Sequence, residues 1–222
     1  LVNKRSRESA EKARGDFKKK LAGSVDVSNR VEKFVNCRSK DPSRAELYIV
    51  EGDSALTSCK LGRDAEFQAI IPVRVIGCGV EVKGKAKSDL NSFDLANLRW
   101  SKIIICTDAD EDGFQIRTLL LTLFYRLLPT LLAEHRVFIA ESPLFEITTK
   151  DQTLFAYDEF EKAEILKKLG NKKYTLQRSK GLGENEPGMM WQTTMNPETR
   201  RLISVSPADA AMTDRIFDTL LG

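Results

Sequence analysis

With 222 residues the chain has room for one large domain or two small ones, and its 41% hydrophobic content suffices for an ordinary core. The formal net charge of +3 is unevenly spread, because residues 1–40 carry 12 Lys and Arg against 5 Asp and Glu, which leaves the remainder slightly acidic. No signal peptide is visible, the longest apolar run (119–132) is broken by Arg126 and Pro129 and is too short to span a bilayer, and the four cysteines have neither Cys-x-x-Cys nor zinc-like spacing, which predicts free thiols in a reducing compartment.

In chain order, residues 6–21 have the Glu, Lys, Arg and Ala content of a helix. Its basic residues could neutralise phosphates, or simply form a solvated face with i,i+4 pairs. Residues 22–44 read as loop. The β-branched run Ala45 to Val50 predicts a strand, followed by a turn at Glu51-Gly52-Asp53 and a short helix toward Leu61, capped by Asp53 or Ser54. Gln68 to Val73 predicts a strand, and the glycines and lysines of 75–100 a loop. Ile103 to Thr107 predicts a buried strand. Gly113 opens a long helix from Phe114 to Leu132, which Pro129 should kink or end early. Arg136 to Ala140 completes a strand–helix–strand unit, which implies a parallel pair. Beyond Ser142-Pro143 the pattern predicts a hairpin (144–148 and 153–157), a helix (158–169), a strand (173–178), a turn at Lys180-Gly181-Leu182-Gly183-Glu184, a short helix (188–195) and a final helix starting at Ser206-Pro207.

Two short apolar strands end in acids: Glu51 after one, and Asp108-Ala109-Asp110-Glu111-Asp112-Gly113 after the other. In an open α/β sheet, chemistry gathers at the carboxyl ends of the strands. If the two strands are parallel neighbours, Glu51, Asp108, Asp110 and Asp112 meet. Carboxylates gathered at one point repel unless a cation neutralises them, and hard oxygen ligands suit Mg²⁺ better than zinc. An EF-hand loop needs a bidentate Glu at its twelfth position, where Leu119 stands, and a helix where a strand precedes. An aspartyl-phosphate phosphatase would follow its Asp-x-Asp with Thr or Val, which is absent. A solvated surface turn explains Asp112 and Gly113 but not Asp108 directly after a buried strand. The remaining pattern fits metal-assisted phosphoryl transfer, with Glu51 able to serve as ligand and as general acid or base.

The pairing of Glu51-Gly52-Asp53-Ser54-Ala55 with Thr107-Asp108-Ala109-Asp110-Glu111-Asp112-Gly113 resembles the TOPRIM domain of bacterial type IIA topoisomerases, in the B subunits of gyrase and topoisomerase IV. Residues 68–74 (QAIIPVR), 116–121 (IRTLLL), 180–184 (KGLGE) and 191–197 (WQTTMNP) agree with it, so the resemblance runs from about residue 5 to the end. It implies an α/β fold, a Rossmann-like parallel sheet flanked by helices with a smaller α+β tail. It divides the chain into a basic helix and linker (1–44), the TOPRIM domain (45–142) and the tail (143–222). The family's metal ligands fall on Glu51, Asp108 and Asp110, with Asp112 as an outer or alternate ligand for Mg²⁺. Asp53 and Arg74 match positions near DNA and the quinolone pocket. Lys180 is a candidate phosphate contact, although a Lys in a Gly turn is more often merely solvated.

The function implied is one half of a DNA cleavage and religation site. Its partners would be double-stranded DNA, a gyrase A-type subunit that supplies the attacking tyrosine, and quinolone-type inhibitors, in an A2B2 assembly in the cytoplasm. Neither that tyrosine nor the ATP-binding domain is expected in this chain, which starts without Met and reads as a piece of something larger. Three departures stand out. Leu56-Thr57-Ser58 follows Ala55 where the family has Gly-Gly-Ser, and Phe114-Gln115 stands where it has Ser-His. Val75-Ile76-Gly77 follows Arg74 where it continues with Gly-Lys, as though a segment were missing. Another TOPRIM enzyme, a primase or nuclease, and a non-catalytic DNA-binding module using the basic helix are the alternative readings.

Overall fold

The computed structural model describes residues 33–73, 95–179 and 181–207. The helices predicted at 6–21 and from Ser206, most of the 75–100 loop, and the residues Arg74 and Lys180 lie wholly or largely outside them.

Five strands form the central sheet. Strands β1 (Glu46–Val50), β2 (Gln68–Pro72), β3 (Lys102–Cys106) and β4 (Val137–Ala140) run parallel, and β8 (Leu202–Ser204) joins β4 antiparallel at the edge. Their spatial order is β2-β1-β3-β4-β8. β1 and β3 are apolar almost throughout because helices or tail cover both faces of the sheet. Period-two alternation assigns the faces. Tyr48, Val50, Ile104 and Cys106 pack on one side with Ala55, Cys59 and the tail residues Leu182, Met190 and Met195. Ile49, Ile103 and Ile105 pack on the other with Leu120, Phe124, Leu131 and Leu132. Cys37, Cys59 and Cys106 are free thiols, the last two buried.

The helices depart from expectation at their ends. Helix α1 (Asp53–Gly62) has Gly52 at its N-cap and no side-chain cap, so Asp53 and Ser54 do not cap it. Helix α2 (Glu111–Leu127) begins three residues earlier than Phe114, because Asp110 is its N-cap and accepts the Gly113 amide. It stops at Leu127, and Pro129 starts a separate helix α3 (Pro129–Ala133), its ring occupying the first turn, where no amide partner is needed. No helix among the described residues is long and apolar enough to cross a membrane.

After β4, strands β5 (Phe145–Thr149) and β6 (Thr153–Ala156) form the hairpin, and β7 (Tyr174–Arg178) pairs with the other side of β5. Helix α4 (Glu159–Leu169), capped by Asp158, covers a small core of Ile147, Ala156 and Leu169. The chain then returns to the first sheet through a 3-10 turn (Leu182–Glu184), helix α5 (Pro187–Met190), a π-helical turn (Trp191–Met195) and β8. Residues 182–204 therefore share the core and the sheet of residues 46–140, and all described residues belong to one compact unit.

An ion pair anchors this return. Glu46, almost fully buried on β1, meets the Arg200 guanidinium at 2.5 and 2.6 Å. Arg200 also donates to Tyr48 Oη at 2.8 Å, and Gln68 donates to Met195 O at 2.7 Å. Burial opposes ionisation of Glu46, but the Arg200 hydrogen bonds and charge, with Lys102, outweigh it and hold the carboxyl below its ordinary value.

Candidate metal centre at the strand ends

β1 and β3 are hydrogen-bonded parallel neighbours with Val50 opposite Cys106, so Glu51 and Thr107-Asp108 leave the sheet side by side. The Asp108 amide donates to Glu51 Oε2 at 3.3 Å and ties the two ends together. Leu182 N–H donates to Asp108 Oδ1 at 2.7 Å. Asp110 Oδ1 accepts the Gly113 amide at 2.8 Å. A Cβ on Gly113 would lie 2.1 Å from the Asp108 carbonyl oxygen, so only glycine allows the loop to fold back this tightly.

Each of these three carboxylates thus engages one oxygen with a backbone N–H, and the second oxygen of each accepts no hydrogen bond among the described residues. Glu51 and Asp108 are half-buried, while Asp110 and Asp112 are more open to solvent. Burial pushes the Glu51 carboxyl above its ordinary value; the Asp108 amide pulls it down, and the charges of Asp108, Asp110 and Asp112 raise it further. Asp112 lies in the first turn of α2, where the helix dipole favours a negative charge.

The donors fit a hard cation but do not form a protein-only cage. Among the described residues, no group of three or more His, Cys, Asp or Glu side chains is arranged to enclose an ion. Mg²⁺ does not need such a cage, because it keeps several of its waters and substrate phosphates complete its shell. A cavity of about 220 Å³ opens beside Asp108 and Asp110, bordered by Ser142, Leu144, Arg178 and Leu182. The larger cavity of about 520 Å³, between the end of α1 and Trp191, contains none of the strand-end acids.

The other expected residues are distributed differently. Asp53 is half-exposed at the start of α1 and pairs with Lys33 at 2.7 Å. Phe114 is 54% exposed and lies under the Arg117 guanidinium. Arg117 donates to Thr107 at 3.2 Å beneath the acidic loop. Residue reading missed Leu182 as a partner of Asp108; the only signal was the unexplained Gly-Leu-Gly turn.

The Toprim family model matches residues 46–142, the stretch that carries the four parallel strands and the acids at their ends. The model of the DNA gyrase B subunit carboxyl terminus matches residues 171–222. The chain therefore carries a Toprim domain followed by a segment of the gyrase B carboxyl-terminal kind. It is 43% identical over 241 residues to the DNA gyrase B subunit of Clostridium acetobutylicum, 42% over 238 to that of Thermotoga maritima, and 40% over 240 to that of Staphylococcus aureus. Each alignment covers 100% of this chain and 37% of the relative, so the chain spans little more than a third of their length. The Clostridium alignment sets 241 positions against 222 residues, leaving at least 19 with no residue here.

Proposed function

We propose that this chain forms the metal-binding half of a DNA cleavage and religation site in a type II topoisomerase of the gyrase kind. The observation that carries the reading is the hydrogen bond from Asp108 to Glu51 across two parallel strand ends, with Asp110 one step further along. Glu51, Asp108 and Asp110 would hold Mg²⁺, with Asp112 outside them. The bound ion supplies a Lewis acid beside the scissile phosphate and stabilises charge on its oxygens.

The chain's own residues have separate tasks. Asp108 and Asp110 bring negative charge to the end of β3, and the α2 cap fixes Asp110. Glu51, the acid shared between the two strand ends, is the residue assigned the general acid or base role when it is not held by the ion. The attacking tyrosine comes from a gyrase A-type subunit and forms a phosphotyrosyl link that is later resealed, within an A2B2 assembly on double-stranded DNA in the cytoplasm. Tyr48 and Tyr157 are unsuited to that attack. Tyr48 is buried, its phenol pushed far up, and Tyr157 is bound to the Thr193 carbonyl. Asp53 and Arg74 would lie near DNA and quinolone-type ligands, and Lys180 near a phosphate.

The test is plasmid cleavage by this chain joined to the breakage-reunion part of a gyrase A-type subunit. Protein-linked double-strand breaks that need Mg²⁺ and disappear in Asp108→Ala are expected. Undiminished breaks in that variant would sink the metal assignment.

A further inference from the structure

Asp108 is gripped by a segment more than seventy positions downstream. Leu182 N–H donates to its Oδ1 at 2.7 Å, and Gly181 passes so close that a Cβ there would lie 2.7 Å from Oδ2 and 3.3 Å from Cγ. The turn cannot drift away, because it is pinned on its other side. Leu182 is 1% exposed within the core of Tyr48, Val50 and Cys59. Ser58 donates to Gly183 O at 3.0 Å, and a Cβ on Gly183 would lie 2.5 Å from that of Ser54.

We propose that Gly181 and the Leu182 amide are the positioning element of the metal site. The amide fixes the Asp108 carboxylate through Oδ1, and the missing side chain of Gly181 leaves Oδ2 open to a cation. A methyl group at 181 would sit against that oxygen and force Asp108 or the turn to move. The inference rests on the reading of Asp108 as a metal ligand. It assigns a role to the turn's glycine and amide: the tail shapes the affinity of the strand-end acids, as partners behind a metal ligand do elsewhere.

The experiment is Mn²⁺ titration of the whole chain, followed by the electron paramagnetic resonance signal of free Mn²⁺, with thermal unfolding in EDTA alongside. The proteins are wild type, Gly181→Ala, Gly188→Ala, Asp108→Asn, and a chain with an ester replacing the 181–182 amide, which deletes the donor without adding volume. Gly188 has open space at its Cβ position and serves as the control. Gly181→Ala and the ester should bind Mn²⁺ about tenfold or more weakly, with Gly188→Ala unchanged. If Gly181→Ala does not fold, the ester carries the test. Wild-type affinity in the ester or in folded Gly181→Ala, with binding lost in Asp108→Asn, overturns the positioning role alone. Wild-type affinity in Asp108→Asn overturns the ligand assignment and the inference with it.

Discussion

Asp110 has two roles that different substitutions can separate. Its Oδ1 caps α2, and in the proposed function its charge serves the metal centre. Asn caps a helix about as well as Asp, whereas Ala loses about 1 kcal/mol at such a position. Asp110→Asn should therefore keep wild-type stability in urea unfolding, and Asp110→Ala should lose about 1 kcal/mol, while both lose Mg²⁺-dependent cleavage. Glu51 gives a pH signature. Its carboxyl has a higher pKa folded than its ordinary value, so in the window between the two the folded state binds more protons than the unfolded. Its contribution to stability falls as pH rises through that window. In EDTA at neutral pH, Glu51→Gln should be more stable than wild type by thermal unfolding, and Mg²⁺ should stabilise wild type more than the variant. A less stable Glu51→Gln in EDTA would mean that the acids do not repel.

Among the elements, the parallel strands were legible because β1 and β3 are short, β-branched and bounded by acids and glycine. The placement of Asp108 was legible for the same reason: it follows a buried strand directly. The start of α2 was misread because Gly113 looked like a helix opener, whereas the cap three residues earlier satisfies its amide. β8 was missed because Leu202–Ser204 is only three residues long and largely exposed, with no alternation to read. The α1–α5 contact was invisible too, since it depends on what Gly62 lacks. A Cβ there would lie 2.7 Å from Met190 Cβ and 2.9 Å from Pro187 O. Helix propensity alone favours Ala over Gly by about 1 kcal/mol. Overpacking of this kind costs about 1–3 kcal/mol. Gly62→Ala should therefore be neutral to destabilising in denaturant unfolding, by up to about 2 kcal/mol, and a clear gain in stability would contradict the packing described.

For the molecule as a whole, the tail completes the core. Leu182, Met190 and Met195 are fully buried against β1 and α1, and Arg200 neutralises Glu46 in the interior. No local pattern could reveal this pair, because its members are 154 positions apart. Removing one partner of a buried pair costs about 3–5 kcal/mol, since the other is left charged and buried. Arg200→Met should show such a loss in urea unfolding at neutral pH, and Glu46→Leu/Arg200→Met a smaller one. The Glu46 carboxyl has its pKa lowered by folding, so its stabilisation is full above the ordinary carboxylate value and is lost as pH falls through the folded value. The gap between wild type and Arg200→Met should accordingly narrow in acid. A fragment of residues 33–142 would expose the surface that these tail residues cover, and should lack fixed tertiary packing by near-ultraviolet circular dichroism.

The most direct measurement is anomalous diffraction from crystals of the chain soaked in Mn²⁺. One peak is expected among the free oxygens of Glu51, Asp108 and Asp110, with ligand distances near the roughly 2.0–2.2 Å of a small hard cation, and none in Asp108→Asn. A peak elsewhere, or one that persists unchanged in Asp108→Asn, would contradict the claim that the paired strand ends are the metal centre.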